Sequence, residues 1–239
     1  MKGRLSRGTF WQVGVFRITI VISILFFLLT ILAMFLYPGG TMTDTHSQGY
    51  SFFLNFFSDL GRITALSGKS NLVSRILFTS ALSIGAGSVA LFFMAFTRFF
   101  SGSSITVWLS RLGAICGLIT GICLVGVAFV PMDLSSQVHN LFLDVALLAF
   151  LCAFLLVFLA VLLKPNVPRR VVWVFSAFAI LLTGYSLLLL YLLFFGPVPG
   201  TQLWEMIQAT GQKVIVYASI LTALIQAFNM QTMAILEKQ

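Results

Sequence analysis

Six apolar stretches recur along the chain, at about 15–37, 72–97, 105–130, 138–163, 171–195 and 211–235. Each has the roughly 20 residues that a helix needs to cross a hydrocarbon layer, with length to spare for tilt. The breaks between them carry helix-stopping residues: Pro38-Gly39-Gly40, Ser101-Gly102-Ser103-Ser104, Pro131, Lys164-Pro165-Asn166-Val167-Pro168 and Gly196-Pro197-Val198-Pro199-Gly200. A backbone inside lipid must satisfy its own N–H and C=O groups, so each stretch is expected to be an α-helix. The pattern predicts an all-α integral membrane protein, a six-transmembrane-helix bundle in which residues 1–239 form a single transmembrane domain. The run from Ile18 to Tyr37 follows a basic stretch, as in a signal peptide. It is too long for one and lacks a small-residue cleavage site, so it reads as an uncleaved first helix.

The longest connection, 38–70, holds a second pattern. Ser51, Asn55, Ser58, Asp59 and Arg62 are polar, while Phe52, Phe53, Leu54, Phe56, Phe57 and Leu60 are apolar. That spacing predicts an amphipathic helix near 51–62, lying in the interface or re-entering between the spanning helices, with Asp59 and Arg62 one turn apart and able to pair.

Composition agrees with the pattern. Hydrophobic residues make up 59% of the chain and charged residues 8%, against about a quarter charged in soluble domains. The net charge of +8 is not a nucleic-acid signature, because the basic residues sit at the ends of apolar segments and form no basic helix. They act as orientation signals. With the N-terminus inside, Lys2, Arg4, Arg7, Arg17, Arg98, Arg111, Lys164, Arg169, Arg170 and Lys238 lie at the cytoplasmic ends, against Arg62, Lys69, Arg75 and Lys213 outside. The bias predicts an N-in, C-in topology. Trp11, Trp108 and Trp173 would then mark the inner interface and Trp204 the outer one. Short loops and compact length point to a prokaryotic cytoplasmic membrane. Cys116, Cys123 and Cys152 lie within apolar runs and read as small core residues.

Gly113, Gly117 and Gly121 recur every four residues in the third segment. Such a strip lets another helix backbone approach closely, either within the chain or across a homo-oligomer.

Candidate chemistry gathers toward the predicted outer ends. Asp133 follows Pro131, His139 and Asn140 open the fourth segment, Asp144 lies one turn below Asn140, and Gln212 and Lys213 open the sixth. A carboxylate at the depth of Asp144 is expected to face the bundle interior, with Lys213 or Arg75 as counter-ion. His139, oriented by Asp133 or Asp59, has the chemistry of a general base, and Ser58 that of a nucleophile. No Gly-x-Ser-x-Gly elbow accompanies them. Two histidines, His46 and His139, are too few for a histidine-rich metal centre or a haem, and neither metal nor cofactor is expected. The apolar helix centres argue against a conduction path.

Asn55-Phe56-Phe57-Ser58-Asp59-Leu60-Gly61, then Gly126-Val127-Ala128-Phe129-Val130-Pro131-Met132-Asp133 with His139 six residues on, then Thr210-Gly211-Gln212-Lys213 resemble the pattern of the multi-pass family catalogued as domain of unknown function 998. The likeness covers most of the chain, and a more distant one is to the Frag1/DRAM/Sfk1 group, linked to lipid handling and membrane trafficking. The resemblance implies that Ser58, Asp59, Asp133, His139 and Lys213 converge. Where the family's last-helix motif often carries Arg, this chain has Lys213, which keeps the charge and changes its geometry.

Three functions are compatible with these residues. The leading expectation is a polar pocket open to the outer leaflet that binds a membrane lipid or similar amphiphile, with Arg62 and Lys213 holding an anionic group and Gln212, Asn140 and Asp144 among its ligands. The alternatives are a lipid hydrolase using His139, Asp133, Asp59 and Ser58, and an accessory subunit of a membrane complex.

Overall fold

The computed structural model describes residues 13–100 and 103–236. Lys2, Arg4, Arg7, Trp11 and Lys238, which entered the orientation reading, lie outside them. Among the described residues six helices are long and apolar enough to cross a membrane. They are α1 (Val15–Phe35), α2 (Leu72–Phe96), α3 (Ser104–Phe129), α4 (Ser136–Leu163), α5 (Arg169–Phe195) and α6 (Gln202–Leu236). The chain is a multi-pass, all-helical membrane protein.

Each helix packs on the next in sequence and α6 returns to α1, so the bundle closes as a ring. α2 also touches α4 across it, and the seam between α4 and α5 is the thinnest of those between consecutive helices. The end carrying the 36–71 segment and the α3–α4 and α5–α6 connections is called distal here, and the other end proximal.

Lipid supplies no hydrophobic drive between helices, so close backbone approach and van der Waals contact must hold the bundle. The glycine strip of α3 provides this within the chain. A Cβ on Gly121 would fall 2.9 Å from the Ala86 carbonyl oxygen of α2, one on Gly117 2.7 Å from the Phe93 ring, and one on Gly113 3.1 Å from the Ala153 carbonyl oxygen of α4. All three glycines are buried. The strip proposed for a homo-oligomer is therefore covered by the protein's own α2 and α4.

Two aromatic-rich clusters fill the ring. The proximal one joins Phe16, Phe92, Phe96, Phe154, Phe175 and Phe178, and the distal one joins Phe26, Phe57, Leu60, Phe78, Leu82 and Val127. Phe57 comes from the 36–71 connection and seats against Phe26, Phe78 and Tyr217 at 6.2, 5.3 and 5.9 Å between ring centres. This anchors the connection into the membrane part.

Two elements differ from the expected ones. Of the helix predicted over 51–62, a 3-10 turn at Phe57–Gly61 forms. The Asn55 side chain takes the Ser51 N–H at 2.9 Å and donates to the Gly40 carbonyl at 2.8 Å, and such local side-chain bonds compete with helix. Its polar face also turns inward: Asn55, Ser58 and Asp59 are buried while Phe52 and Phe53 are exposed. The last helix starts at Gln202 rather than near 211, because Thr201 caps it through the Trp204 N–H at 3.4 Å. Trp204 and Glu205, expected in a loop, are thus its first turn.

Candidate functional site

The three sequence motifs do meet, at the distal end, in a compact polar cap. Asp59 is 4% exposed, and its Oδ2 accepts the Phe56 N–H at 2.8 Å and the Asn55 amide at 3.3 Å. Burial pushes its carboxyl up to about 6, against the opposing pull of the Asn55 amide, the Arg62 charge, the Phe56 N–H and the Lys213 charge. Arg62 is half-buried and turns its Nε to the Thr64 carbonyl at 3.2 Å, so the one-turn pair expected with Asp59 is replaced by a backbone contact. Gly40 sits at φ +88°, and a Cβ there would run into the Ser67 backbone. Only glycine lets the 36–41 arm pass so close.

Lys213 is fully buried on α6. Its ammonium donates to the Asn55 carbonyl and lies 5.4 Å from the Tyr50 ring centre and 5.2 Å from that of Phe52. An aromatic wall of this kind compensates a desolvated cation. The neighbouring Gln212 takes the Phe57 N–H at 2.9 Å. One turn of the last helix therefore clamps the first connection.

Asp133 is exposed, and its two oxygens accept the Ile63 and Thr64 N–H groups at 3.0 and 2.9 Å. His139 is buried and its Nδ1 lies 2.7 Å from the Val130 carbonyl oxygen. A carbonyl only accepts, so Nδ1 carries a proton. Nε2 has no hydrogen-bond partner. Among the described residues no hydrogen bond joins His139 to Asp133, Asp59 or Ser58, because Asp133 is committed to backbone N–H groups and Asp59 to its own turn. Ser58 is buried beside Asp59 in the 3-10 turn. The convergence builds a staple between connections.

Lys213 is sealed under the cap and Arg62 turns along its rim, and the charges of both act on the Asp59 carboxyl. The sequence reading also missed participants. Glu205 is fully buried and accepts the Thr43 hydroxyl at 3.0 Å. Asn71 spreads its amide over the Asp59, Leu60 and Arg62 carbonyls at 3.3, 3.1 and 3.0 Å. The Glu205, Ala209, Lys213 spacing of four was the available signal for one buried face of α6.

Asn140 and Asp144 stand apart from the cap, and both are exposed on α4. The expected inward orientation of Asp144 is not found, nor is Lys213 its counter-ion. Asn140 and Phe158 are 18 positions apart, about five turns, and so share a face. In the proximal half that face is covered, because Phe158 stacks on Phe175 of α5 at 6.3 Å. In the distal half it is bare. α5 repeats this. Phe175 and Leu182 are fully buried on one face, and Leu193, five turns beyond Phe175 on that face, is 74% exposed. The two helices are joined by a short connection at the proximal end, and their seam is thin. Within the bundle an apolar cavity of about 50 Å³ is bordered by Phe150, Phe154, Phe175, Phe178, Ser88 and Ser219.

No protein-family model, curated protein or solved structure matches the chain.

Proposed function

We propose that this protein binds a membrane lipid or similar amphiphile laterally, along the distal α4–α5 seam, with the distal end facing the outside of a cytoplasmic membrane and both termini inside. The observation that carries the reading is the exposure of Asn140 and Asp144 on the distal half of α4, beside the thin seam with α5. A carboxylate at this depth on a lipid-facing surface is costly unless paired. An amphiphile with an amine or hydroxyl headgroup would pair it, and its chain would lie along the seam beside Leu193.

The polar cap has the supporting role in this reading. It holds α6 and the α3–α4 connection in place. The motifs that resemble the domain of unknown function 998 family then belong mainly to the cap, and Asn140 and Asp144 carry recognition.

The test is native mass spectrometry of gently solubilised protein with identification of retained lipids, comparing wild type with Asp144→Ala and Asn140→Ala. Retention of one headgroup class by wild type and its loss by about tenfold in Asp144→Ala supports the assignment. Equal retention in all three proteins, or no enriched lipid, overturns it.

A further inference from the structure

We infer that Cys116 and Cys152 are a thiol pair which a lipid-dissolved hydroperoxide closes into a disulfide across the α3–α4 seam. The register of the two helices brings the cysteines together. They run antiparallel, and a Cβ on Gly126 would meet the Phe142 ring at 2.6 Å, while one on Gly113 would meet Val157 at 2.8 Å and the Ala153 carbonyl oxygen at 3.1 Å. Moving back ten residues on α3, from Gly126 to Cys116, advances the partner by ten on α4, from Phe142 to Cys152. A disulfide spans only about 4–7 Å between Cα atoms, and the glycines give these two backbones a close approach. The two thiols also lie near enough to act on each other electrostatically.

Their location selects the chemistry. Cys116 sits at the middle of α3 and Cys152 within three residues of the middle of α4, so both are deep in the membrane span. Cys116 is half-buried. Cys152, expected in the core, is exposed between Leu148 and Leu155, which are 63% and 38% exposed. A charged oxidant stays in water, so only a neutral, apolar one reaches a thiol at this depth. Hydroperoxides carried on fatty chains have that character.

The reaction balances with the two thiols alone. The exposed Cys152 sulfur takes the outer peroxide oxygen as a sulfenic acid, and its proton passes to the oxygen that leaves as the lipid alcohol. The Cys116 thiol then attacks the Cys152 sulfur, forms the S–S bond and releases water. The two electrons that reduce the peroxide come from the two sulfurs. Cys123, buried on α3, is the internal control, because the same register sets it opposite Val145.

The experiment exposes detergent-solubilised protein to cumene hydroperoxide, unfolds it, and counts by intact-protein mass spectrometry the thiols left for N-ethylmaleimide. Wild type should go from three free thiols to one, with peptide mapping placing the bond between Cys116 and Cys152. Cys123→Ala should go from two to none. Cys116→Ala should form no bond within the chain and should accumulate a sulfenic acid at Cys152 that dimedone captures. Cys152→Ala should keep both of its remaining thiols. That side chain lies at the surface, so this variant carries the test if Cys116→Ala does not fold. Survival of all three thiols in wild type, their equal oxidation, or a bond from Cys123 to either partner would overturn the pair. So would a disulfide-linked dimer that persists in Cys116→Ala, which would assign the oxidation to two copies of Cys152.

Discussion

Lys213 of the last helix donates its ammonium to the backbone carbonyl of Asn55, 158 positions earlier in the chain. A single side chain thus ties the ends of the sequence together, inside a wall made by Tyr50 and Phe52. Lys213→Ala removes a buried stem and a charged donor together, and is expected to destabilise the fold by about 2–4 kcal/mol. Lys213→Met keeps the stem and discards a desolvated charge, so it should stay within about 1 kcal/mol of wild type. Thermal unfolding of both variants in detergent checks the contrast, and equal losses would mean that the charge, not the packing, holds the cap.

The elevated carboxyl of Asp59 makes stability depend on pH with a definite sign. Its pKa rises from 3.8 in an ordinary setting to about 6 in the fold, so between these values the native chain keeps a proton that the unfolded chain releases. This group's contribution is therefore fully present below about pH 4, falls by about 3 kcal/mol as pH climbs to about 6, and is flat above. Unfolding midpoints at about pH 4, 5, 6 and 7 should show that decline in wild type, and Asp59→Asn should lose this part of it. An unchanged slope in the variant would assign the dependence to another group.

Much of this architecture was legible in the chain because lipid imposes a rule that sequence reports directly. Twenty apolar residues in a row have few alternatives to a spanning helix, and five of the six helices begin within two residues of the expected positions. The cap was legible as a set of residues and not as a geometry. Ser58, Asp59, Asp133, His139 and Lys213 do gather at one end, but amphipathic spacing over 51–62 suggested a helix, whereas the Asn55 side chain diverts the backbone into turns. The face of Asp144 was hidden for a different reason. Its exposure depends on which face of α4 the neighbouring helices leave open, a tertiary quantity that α4 does not encode alone.

Asp133 acts as a clip between connections. Asp133→Ala should free the Ile63 and Thr64 N–H groups, at a cost of about 1 kcal/mol given the exposure of the carboxylate. Hydrogen exchange resolved to these two amides should speed up while amides within α2 and α3 keep their protection. Unaltered exchange at 63 and 64 would count against the clip.

The glycines of the membrane part should respond unequally to one added methyl. Gly121→Ala presses on the Ala86 carbonyl oxygen, which is backbone and cannot turn away, and should cost about 1–3 kcal/mol. At Gly87 a Cβ meets nothing within 4 Å, so Gly87→Ala should be neutral or stabilising by up to about 1 kcal/mol. Paired unfolding curves in detergent decide this, and a Gly121→Ala protein as stable as wild type would mean that α2 and α3 sit farther apart than described.

The clamp from α6 to the first connection also sets an order of events during synthesis. Residues 36–71 leave the ribosome early, yet Thr43, Asn55 and Phe57 bind to Glu205, Lys213 and Gln212, which are made near the end. Until the sixth helix has inserted, the segment lacks these three partners. Biogenesis must therefore shelter an unfinished, aromatic-rich loop through five insertions, and a chain cut short before α6 would leave that loop open to proteases and quality control.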